Sequence, residues 1–243
     1  MGTGVRLAGV SKRFPNGVQA ISDVTLGFSP GEVAVVLGPS GAGKSTLLRM
    51  INGLEVASEG SIEVGDLQVN PATLRSVRRR VGMVFQQFNL VPRLSVMANV
   101  LCGRLAYRNW ITSVFFAFPE SDYETARHAI KSVGLEGREW DRVDRLSGGQ
   151  QQRVAIARTL VQGAQVILAD EPVASLDPAT SEEVLSLLVA LARENQVTLI
   201  LNLHQVDLAQ KYADRIIGIQ KGKVHCDVSA DALTPELQKS LYR

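Results

Sequence analysis

The chain has 243 residues, of which 45% are hydrophobic and 21% charged, and its formal net charge is +2. These values are typical of a globular protein and exclude disorder as the main state. A net charge this small does not predict a nucleic-acid-binding surface, and we therefore expect no nucleic-acid partner. One basic cluster stands out, and we interpret it as the solvated face of a helix that leads into a strand: Arg75, Arg78, Arg79 and Arg80.

Neither a disulfide framework nor a membrane span is predicted. Cys102 and Cys226 have no metal-like spacing to each other or to the three histidines. The first residues, MGTGVRLAGVSKRF, lack the apolar segment of a signal peptide. No apolar run approaches the roughly 18 residues that a spanning helix needs. We therefore expect a reduced, cytoplasmic protein that does not itself cross a membrane.

Short apolar runs that end in turn residues alternate with helical patterns, which predicts an α/β core with a largely parallel sheet. The strands before Gly31 alternate in polarity and indicate a peripheral antiparallel sheet, whereas VAVVLG, VILAD and TLILNL are suited to burial on both faces. The predicted strands are Val5–Val10, Ala20–Phe28, Val33–Leu37, Ser61–Val64, Gly82–Phe85, Val166–Ala169, Thr198–Asn202, Arg215–Ile219 and Val224–Asp227.

A helical subdomain is predicted between strands of this core, at residues 89–162. Core helices are expected at Gly43–Asn52, Pro178–Glu194 and Gln205–Tyr212, and inserted helices at Ser95–Leu105, Asp122–Val133 and Gly149–Gln162. Residues 1–88 and 163–228 then form the core with the antiparallel sheet, and 229–243 form a short tail, helical at most. Within the insertion, the apolar segment NWITSVFFAFP favours equally a satellite core and a docking surface for a partner.

A phosphate-binding loop follows the strand VAVVL. Residues 38–45, GPSGAGKS, match G-x-x-x-x-G-K-[ST] between a strand and a helix. In this motif glycines let backbone N–H groups surround the β-phosphate, Lys44 reaches the β- and γ-phosphates, and the Ser45 hydroxyl ligates Mg²⁺. A Gly-rich turn formed by chance is improbable with strand, loop and helix in register.

Two carboxylates end the buried strand VILADE. Asp170 is placed to hold the Mg²⁺ shell. Glu171 is placed to accept a proton from water that attacks the γ-phosphate. Without the phosphate loop, a helix N-cap would be the better interpretation of this pair.

Three further residues are weaker candidates. His204 follows TLILNL at the same edge of the sheet. A lone histidine is more often structural, but this strand should neighbour the strand that ends in Asp170, which favours a contact with the γ-phosphate. Gln86 ends the VGMVF strand and could touch Mg²⁺ or water, and Gln87 beside it leaves the choice ambiguous. Phe14 could stack on adenine, although core packing is the more frequent role of a single aromatic residue.

A second anion site is predicted at LSGGQQQRVAIAR, residues 146–158, where a Ser-Gly-Gly-Gln turn enters a helix. Together with Gly38–Thr46, Gln86, Val166–Glu171, Ala174–Asp177 and His204, this stretch resembles the nucleotide-binding subunits of ABC transporters along essentially the whole chain. LSGGQ is the signature of that family. The resemblance implies a P-loop NTPase with a RecA-like core, an antiparallel β subdomain and an inserted α-helical subdomain.

The resemblance also implies the role of each residue. Phe14 takes the adenine-stacking position, Gln86 the Q-loop, Glu171 the catalytic base and His204 the switch histidine, while Asp177 falls in the D-loop. The implied cofactors are ATP and Mg²⁺, with Ser45, Gln86 and Asp170 at the metal. The implied nucleotide contacts are Gly38, Pro39, Ser40, Gly41, Ala42, Gly43, Lys44, Ser45, Thr46, Ser147, Gly148, Gly149 and Gln150.

A finer resemblance, to the ATPase subunits of phosphonate importers, is carried by VFQQFNLVPRLSVMANVL, LADEPVASLDP, LHQVDLA and the insertion GRLAYRNWITSVFFAFPESDYETARHAI. Leu203-His204-Gln205 stands where many other relatives have Thr-His-Asp or Ser-His-Asp. Phosphite importers are similar enough that the anion stays open. Transport of another solute and a non-transport ABC ATPase remain the alternatives.

These resemblances imply a set of partners. Two copies would pack head to tail with ATP between the LSGGQ of one and the P-loop of the other, giving a homodimer with two composite sites. The dimer would act on integral-membrane permease subunits from the cytoplasmic face of the inner membrane. A periplasmic or extracellular solute-binding protein would take part indirectly.

Overall fold

The computed structural model of the protein describes residues 2–108 and 117–242. Residues 109–116, which make up most of the apolar segment NWITSVFFAFP, lie outside the described residues, so both interpretations of that segment stay predictions. The chain forms two compact units. The first unit contains Met1–Met83, Gln165–Glu171 and Val189–Arg243, and the second contains Val84–Ala164 and Pro172–Leu188.

The strands of the protein form two sheets. They are β1 Val5–Arg13, β2 Gln19–Phe28, β3 Val33–Leu37, β4 Glu59–Val64, β5 Leu67–Gln68, β6 Val81–Phe85, β7 Val166–Asp170, β8 Thr198–Asn202, β9 Arg215–Gln220 and β10 Lys223–Ser229. A six-stranded sheet has the order β10-β9-β3-β8-β7-β6, and a four-stranded sheet has the order β2-β1-β4-β5.

The six-stranded sheet provides the core of the first unit. Its pairing is parallel between β3 and β8, β3 and β9, and β7 and β8, and β10 closes one edge antiparallel to β9. Every residue of β3, β7 and β8 is buried, as expected for continuous apolar runs in a parallel sheet. The predicted parallel sheet is thus confirmed, and its strands end together at one edge.

The four-stranded sheet is antiparallel throughout, as the alternating polarity of the early strands predicts. β1 pairs with β2 on one side and with β4 on the other. Register shifts interrupt the β1–β2 pairing between Leu7 and Arg13, where β1 leads into the turn at Phe14. The position of Phe14 is therefore set by an irregular hairpin.

Helices flank the strands in chain order. They are α1 Lys44–Ile51, α2 Leu74–Arg80, α3 Val96–Leu101, α4 Glu120–Ser132, α5 Gly148–Val161, α6 Pro178–Glu194, α7 Val206–Tyr212 and α8 Pro235–Leu241. Short 3₁₀ turns occur at Cys102–Tyr107, Val143–Arg145 and Ala230–Ala232. Among the described residues, no helix is long and apolar enough to cross a membrane.

The second unit is built on α3, α4 and α5. A buried carboxylate stabilises its interior: the Asp122 side chain is 2% exposed and pairs with Arg104 at 3.0 Å and with Arg108. Gly103 allows the turn after α3 to approach α5 closely, because a Cβ there would lie 2.3 Å from the carbonyl oxygen of Arg158. The helices predicted in this region are present, although the one predicted at residues 95–105 is α-helical only to Leu101.

Candidate active site

The phosphate-binding loop connects β3 to α1 in the first unit. Gly38 has φ 150° and Gly43 has φ 104°, in the region that favours glycine. A Cβ at Gly38 would lie 2.1 Å from the carbonyl oxygen of Ile219, and one at Gly43 would lie 2.3 Å from that of Ala20. The tight loop therefore requires both glycines, and it ends at the first turn of α1, where N–H groups lack intrahelical partners.

Lys44 is the first residue of α1 and is 4% exposed. Its ammonium donates to the carbonyl oxygens of Gly38 at 2.8 Å and Pro39 at 3.1 Å. Burial lowers the pKa of Lys44 below its usual range, while the nearby carboxylates of Glu171 and Asp170 raise it in part. A cation is therefore held at the loop, and it can exchange carbonyl ligands for an anion.

Asp170 ends β7 and connects the loop to the neighbouring strand. Its Oδ1 accepts from Ser45 Oγ at 2.7 Å and from Asn202 Nδ2 at 2.8 Å. Its Oδ2 faces Arg49 Nη2 at 3.7 Å. Because Asp170 and Asn202 are paired in the parallel register of β7 and β8, the sheet itself brings these side chains together.

Glu171 and His204 lie at the same edge of the sheet. Glu171 directly follows Asp170, and His204 lies two residues after Asn202. His204 Nε2 is 2.5 Å from Glu171 Oε1. Glu171 has φ 50°, a left-handed conformation that costs a side-chain-bearing residue about 1–3 kcal/mol. Strain of this kind is typical of sites where a side chain must be held in a set direction, here a carboxylate that is 20% exposed.

Phe14 lies in the first unit, on the turn that joins β1 to β2. Lys12 Nζ lies over its ring, 4.9 Å from the centroid, a distance suited to a cation–π contact. Lys12 is fixed in turn by Glu55 at 3.0 Å and by the carbonyl oxygen of Val56 at 2.8 Å. One face of the Phe14 ring is therefore covered, and the half-buried side chain is held by a polar cluster.

The donor set at Asp170 fits a magnesium ion with a bound polyphosphate. Mg²⁺ prefers hydroxyl, carboxylate and water oxygens and binds through one or two protein ligands plus substrate phosphates. Ser45 and Asp170 supply such oxygens, and the buried Asn202 Oδ1 beside them has no hydrogen-bond partner among the described residues. Within the same described residues, no three His, Cys, Asp or Glu side chains form a metal-binding group.

The other candidates belong to the second unit. Gln86 directly follows β6 and is exposed. Ser147 caps α5 through a capping box, in which its Oγ accepts from Gln150 N at 3.4 Å and Gln150 Oε1 accepts from Ser147 N at 3.0 Å. Gly149 is buried, and a Cβ there would lie 2.4 Å from Thr180 Cγ2, so a larger side chain would not fit without a shift of Thr180. The LSGGQ stretch is thus a capped helix start with an exposed serine.

Asp177 directly precedes α6 and belongs to this second unit. Its Oδ1 accepts from Thr180 N at 3.0 Å, and the hydrogen bonds from Thr180 lower the pKa of its carboxyl. The side chain therefore caps the helix, a role compatible with the D-loop position implied by the resemblance.

Asn202, Arg49 and Lys12 were not singled out from the sequence, but they contact candidate site residues: Asn202 and Arg49 contact Asp170, and Lys12 contacts Phe14. Asn202 is fully buried at the end of an apolar strand. That position could have revealed it, because a polar residue closing TLILN beside a strand that ends in Asp predicts a contact between them. Arg49 and Lys12 carry no such signal in the sequence.

Comparisons with known proteins identify the family. The ABC transporter profile matches residues 21–174. The Phosphonates import ATP-binding protein PhnC of Thiobacillus denitrificans is 51% identical over 239 residues, covering 98% of this chain and 92% of that protein. Phosphonates import ATP-binding protein PhnC 2 of Trichodesmium erythraeum is 52% identical over 230 residues, covering 95% and 88%. The chain belongs to the ABC transporter family.

Solved structures agree with the fold. The dimeric post-hydrolysis state of the ATP-binding cassette MJ0796 bound to ADP and Pi has a TM-score of 0.81 and 34% identity, covering 94% of this chain and 100% of that one. The structure of cbiO1 from Clostridium perfringens has a TM-score of 0.83 and 28% identity, covering 93% and 88%. The predicted P-loop NTPase fold with an antiparallel β subdomain and inserted helices is confirmed.

Proposed function

We propose that this chain is the ATP-hydrolysing subunit of an importer that energises uptake of a phosphonate, or of a related phosphorus oxyanion such as phosphite, through a separate permease. The observation that carries the proposal is the contact set of Ser45, Asp170, Glu171 and His204 around the phosphate loop. The cargo rests on the names of relatives that are about half identical to this chain over nearly its whole length.

The phosphate loop binds the nucleotide in this proposal. Lys44 exchanges the carbonyl oxygens of Gly38 and Pro39 for the β- and γ-phosphates, and N–H groups of the loop and of the first turn of α1 donate to the same phosphates. A Lys–phosphate pair at ~4 Å and an effective dielectric of ~20 gives roughly 4 kcal/mol before desolvation. Phe14 offers the ring face opposite Lys12 to the adenine.

Hydrolysis uses the residues at the ends of β7 and β8. Mg²⁺ supplies neutralisation of the phosphate charge, and Ser45 and Asp170 are the residues that would hold it. Glu171 accepts the proton of the attacking water, and His204 orients the Glu171 carboxylate and contacts the γ-phosphate. The roles proposed for Gln86 and Ser147–Gln150 rest on the family motifs alone. The same holds for the division into subdomains.

The proposed assembly is a dimer on the cytoplasmic face of the inner membrane. ATP binds between the P-loop of one copy and the LSGGQ serine and glycines of the other, and hydrolysis separates the copies. MJ0796 is itself described as dimeric in its solved structure. The permease subunits receive the motion, and an external solute-binding protein delivers the anion to them.

Uptake of labelled phosphonate and phosphite in cells that depend on this chain tests the proposal. Lys44→Ala should abolish ATP-driven uptake because the phosphates lose their buried cation, whereas the exposed control Lys223→Ala should keep wild-type uptake. Loss of another solute's transport with both phosphorus compounds unaffected would refute the cargo. ATP hydrolysis by purified Lys44→Ala at the wild-type rate would refute the assigned site.

A further inference from the structure

The loop after Gln86 has an unusual backbone. Phe88 has φ 54° and Asn89 has φ 52°, so two consecutive residues with side chains adopt the left-handed conformation. Such residues persist only where surrounding contacts fix them, and they concentrate at switch regions. Something in the second unit must therefore hold residues 88 and 89 in place.

Arg158 of α5 makes those contacts. Its Nη1 donates to the carbonyl oxygen of Asn89 at 2.5 Å, and its Nη2 donates to that of Phe88 at 3.2 Å. The two nitrogens of one planar guanidinium therefore hold the two left-handed residues together. Burial lowers the pKa of Arg158, and Cys102 is the group that raises it in part. A half-buried cation that binds two carbonyl oxygens is costly to desolvate, and its hydrogen bonds are strongly directional.

The same loop contacts the other end of α5. Phe88 Cζ lies 3.8 Å from the position that a Cβ of Gly148 would take, so the ring of Phe88 packs against the start of α5, the signature helix that follows Ser147. Side chains on a helix lean toward its N-terminus, which lets Arg158 reach back along α5 to the same loop. The loop is thus attached to α5 at both ends, by a ring at Gly148 and by two hydrogen bonds from Arg158.

We propose that Arg158 is a positioning residue that fixes the Gln86 loop to the signature helix, so that Gln86 and Ser147–Gln150 move as one body. This inference rests on the proposed function, in which both segments belong to nucleotide sites through the family motifs. Arg158 touches no nucleotide in this scheme. It acts by holding Phe88 and Asn89 in conformations that they would otherwise leave.

The test compares Arg158→Lys and Arg158→Met with matched changes at Arg153. Arg153 lies on the same helix and also donates to a carbonyl oxygen, that of Val133 at 3.3 Å, but its other partner is Glu183. Lysine keeps the charge but cannot donate from two coplanar nitrogens to two carbonyls. Arg158→Lys therefore tests the positioning role even if Arg158→Met fails to fold.

Two readouts separate positioning from general stability. Hydrogen exchange of the peptide covering residues 84–92 should accelerate in both Arg158 variants and stay unchanged in both Arg153 variants. The turnover number for ATP should fall roughly 10- to 100-fold in folded Arg158 variants, a loss typical of a misplaced catalytic segment. The ATP dissociation constant should stay within about twofold, because the phosphate loop is untouched.

Unchanged exchange of residues 84–92 in a folded Arg158→Lys would overturn the inference. So would equal loss of turnover in the Arg153 and Arg158 variants, since the effect would then be one of α5 as a whole. If the wild-type chain hydrolyses no ATP, the proposed function fails, and the exchange experiment still decides whether Arg158 holds the loop.

Discussion

Lys44 shows how burial and charge oppose each other at a single residue. Its ammonium is enclosed by the phosphate loop, so desolvation disfavours the charged form. Asp170 and Glu171 favour the charged form, but their effect is the smaller one. The folded chain therefore tolerates this cation at a cost that a bound polyphosphate would offset.

The lowered pKa of Lys44 predicts a pH-dependent stability. In the unfolded chain Lys44 keeps its usual pKa of 10.5, so between the lowered folded value and 10.5 the unfolded state binds more protons. The free energy of unfolding contributed by Lys44 must then rise with pH across that interval. Urea unfolding of the wild type and of Lys44→Met, from neutral pH to above 10.5, measures this contribution as the difference between the two curves.

The difference curve should be flat at neutral pH, rise in the alkaline range and level off above 10.5. Methionine is a suitable reference because it has similar length and does not ionise. A difference that falls with pH would mean that the carboxylates outweigh burial at this residue.

Several site residues could be predicted from sequence because their positions are set by the backbone. The glycines of the phosphate loop, Lys44 and Asp170 follow from a motif at a strand end, where geometry leaves little choice. Asn202 was not singled out, although its place at the end of the apolar strand TLILN, beside a strand that ends in Asp170, could have indicated it. Arg49 lies on α1, and nothing in the sequence indicates its contact with Asp170.

At the scale of elements, the C-terminal helix α8 is part of the core of the first unit. Leu241 is fully buried, and its Cδ1 lies 3.0 Å from the position that a Cβ of Gly218 would take on β9. Gln220 Nε2 donates to the carbonyl oxygens of Ser240 and Leu241, both at 3.3 Å, and His225 Nε2 lies 2.7 Å from Ser240 Oγ. These contacts attach α8 to β9 and β10. Ile219 of β9 also lies against the phosphate loop at Gly38.

We expect Leu241→Ala to destabilise the protein by about 2–5 kcal/mol, because it removes a fully buried side chain and leaves a cavity. Chemical denaturation followed by circular dichroism measures the loss. Lys239→Ala on the same helix is exposed and should change stability by less than about 0.5 kcal/mol. If both variants unfold at the same denaturant concentration, α8 contributes nothing to the core.

Short elements are the hardest to predict from the sequence. β5, which was not predicted, has two residues, and α2, which only the arginine cluster indicated, has seven, of which only Val77 is buried. The arginine cluster correctly indicated a helix leading into a strand, yet Arg78 donates to the carbonyl oxygen of Gly53 at 2.9 Å, so this face is not simply solvated. Long apolar strands such as β3 and β8 were predictable because burial on both faces leaves a continuous apolar run.

At the scale of the whole molecule, the LSGGQ stretch sets the proposed dimer. Its serine is exposed and caps α5, so its environment is complete as a helix start without any ligand. In the proposed assembly the same N-terminus receives the γ-phosphate held by the other copy. The dimer should then depend on charge at residue 147, independently of how well that residue caps α5.

Ser147→Asn and Ser147→Asp separate these two roles. Both replacements are good N-caps and have nearly the same shape, so α5 should stay intact in each. Only aspartate adds a negative charge, and two like charges at ~4 Å with an effective dielectric of ~20 repel by roughly 4 kcal/mol. In a Glu171→Gln background with saturating Mg-ATP, sedimentation should show a dimer for Ser147→Asn and a monomer for Ser147→Asp.

Nucleotide binding to the monomer provides the control for this comparison. Because Ser147 belongs to the partner's site in the proposed assembly, both variants should bind ATP with the affinity of the unmodified chain when protein is dilute. High salt should restore part of the Ser147→Asp dimer, since screening weakens the repulsion. Equal dimerisation of the two variants would mean that no phosphate approaches residue 147, and the head-to-tail arrangement would have to be abandoned.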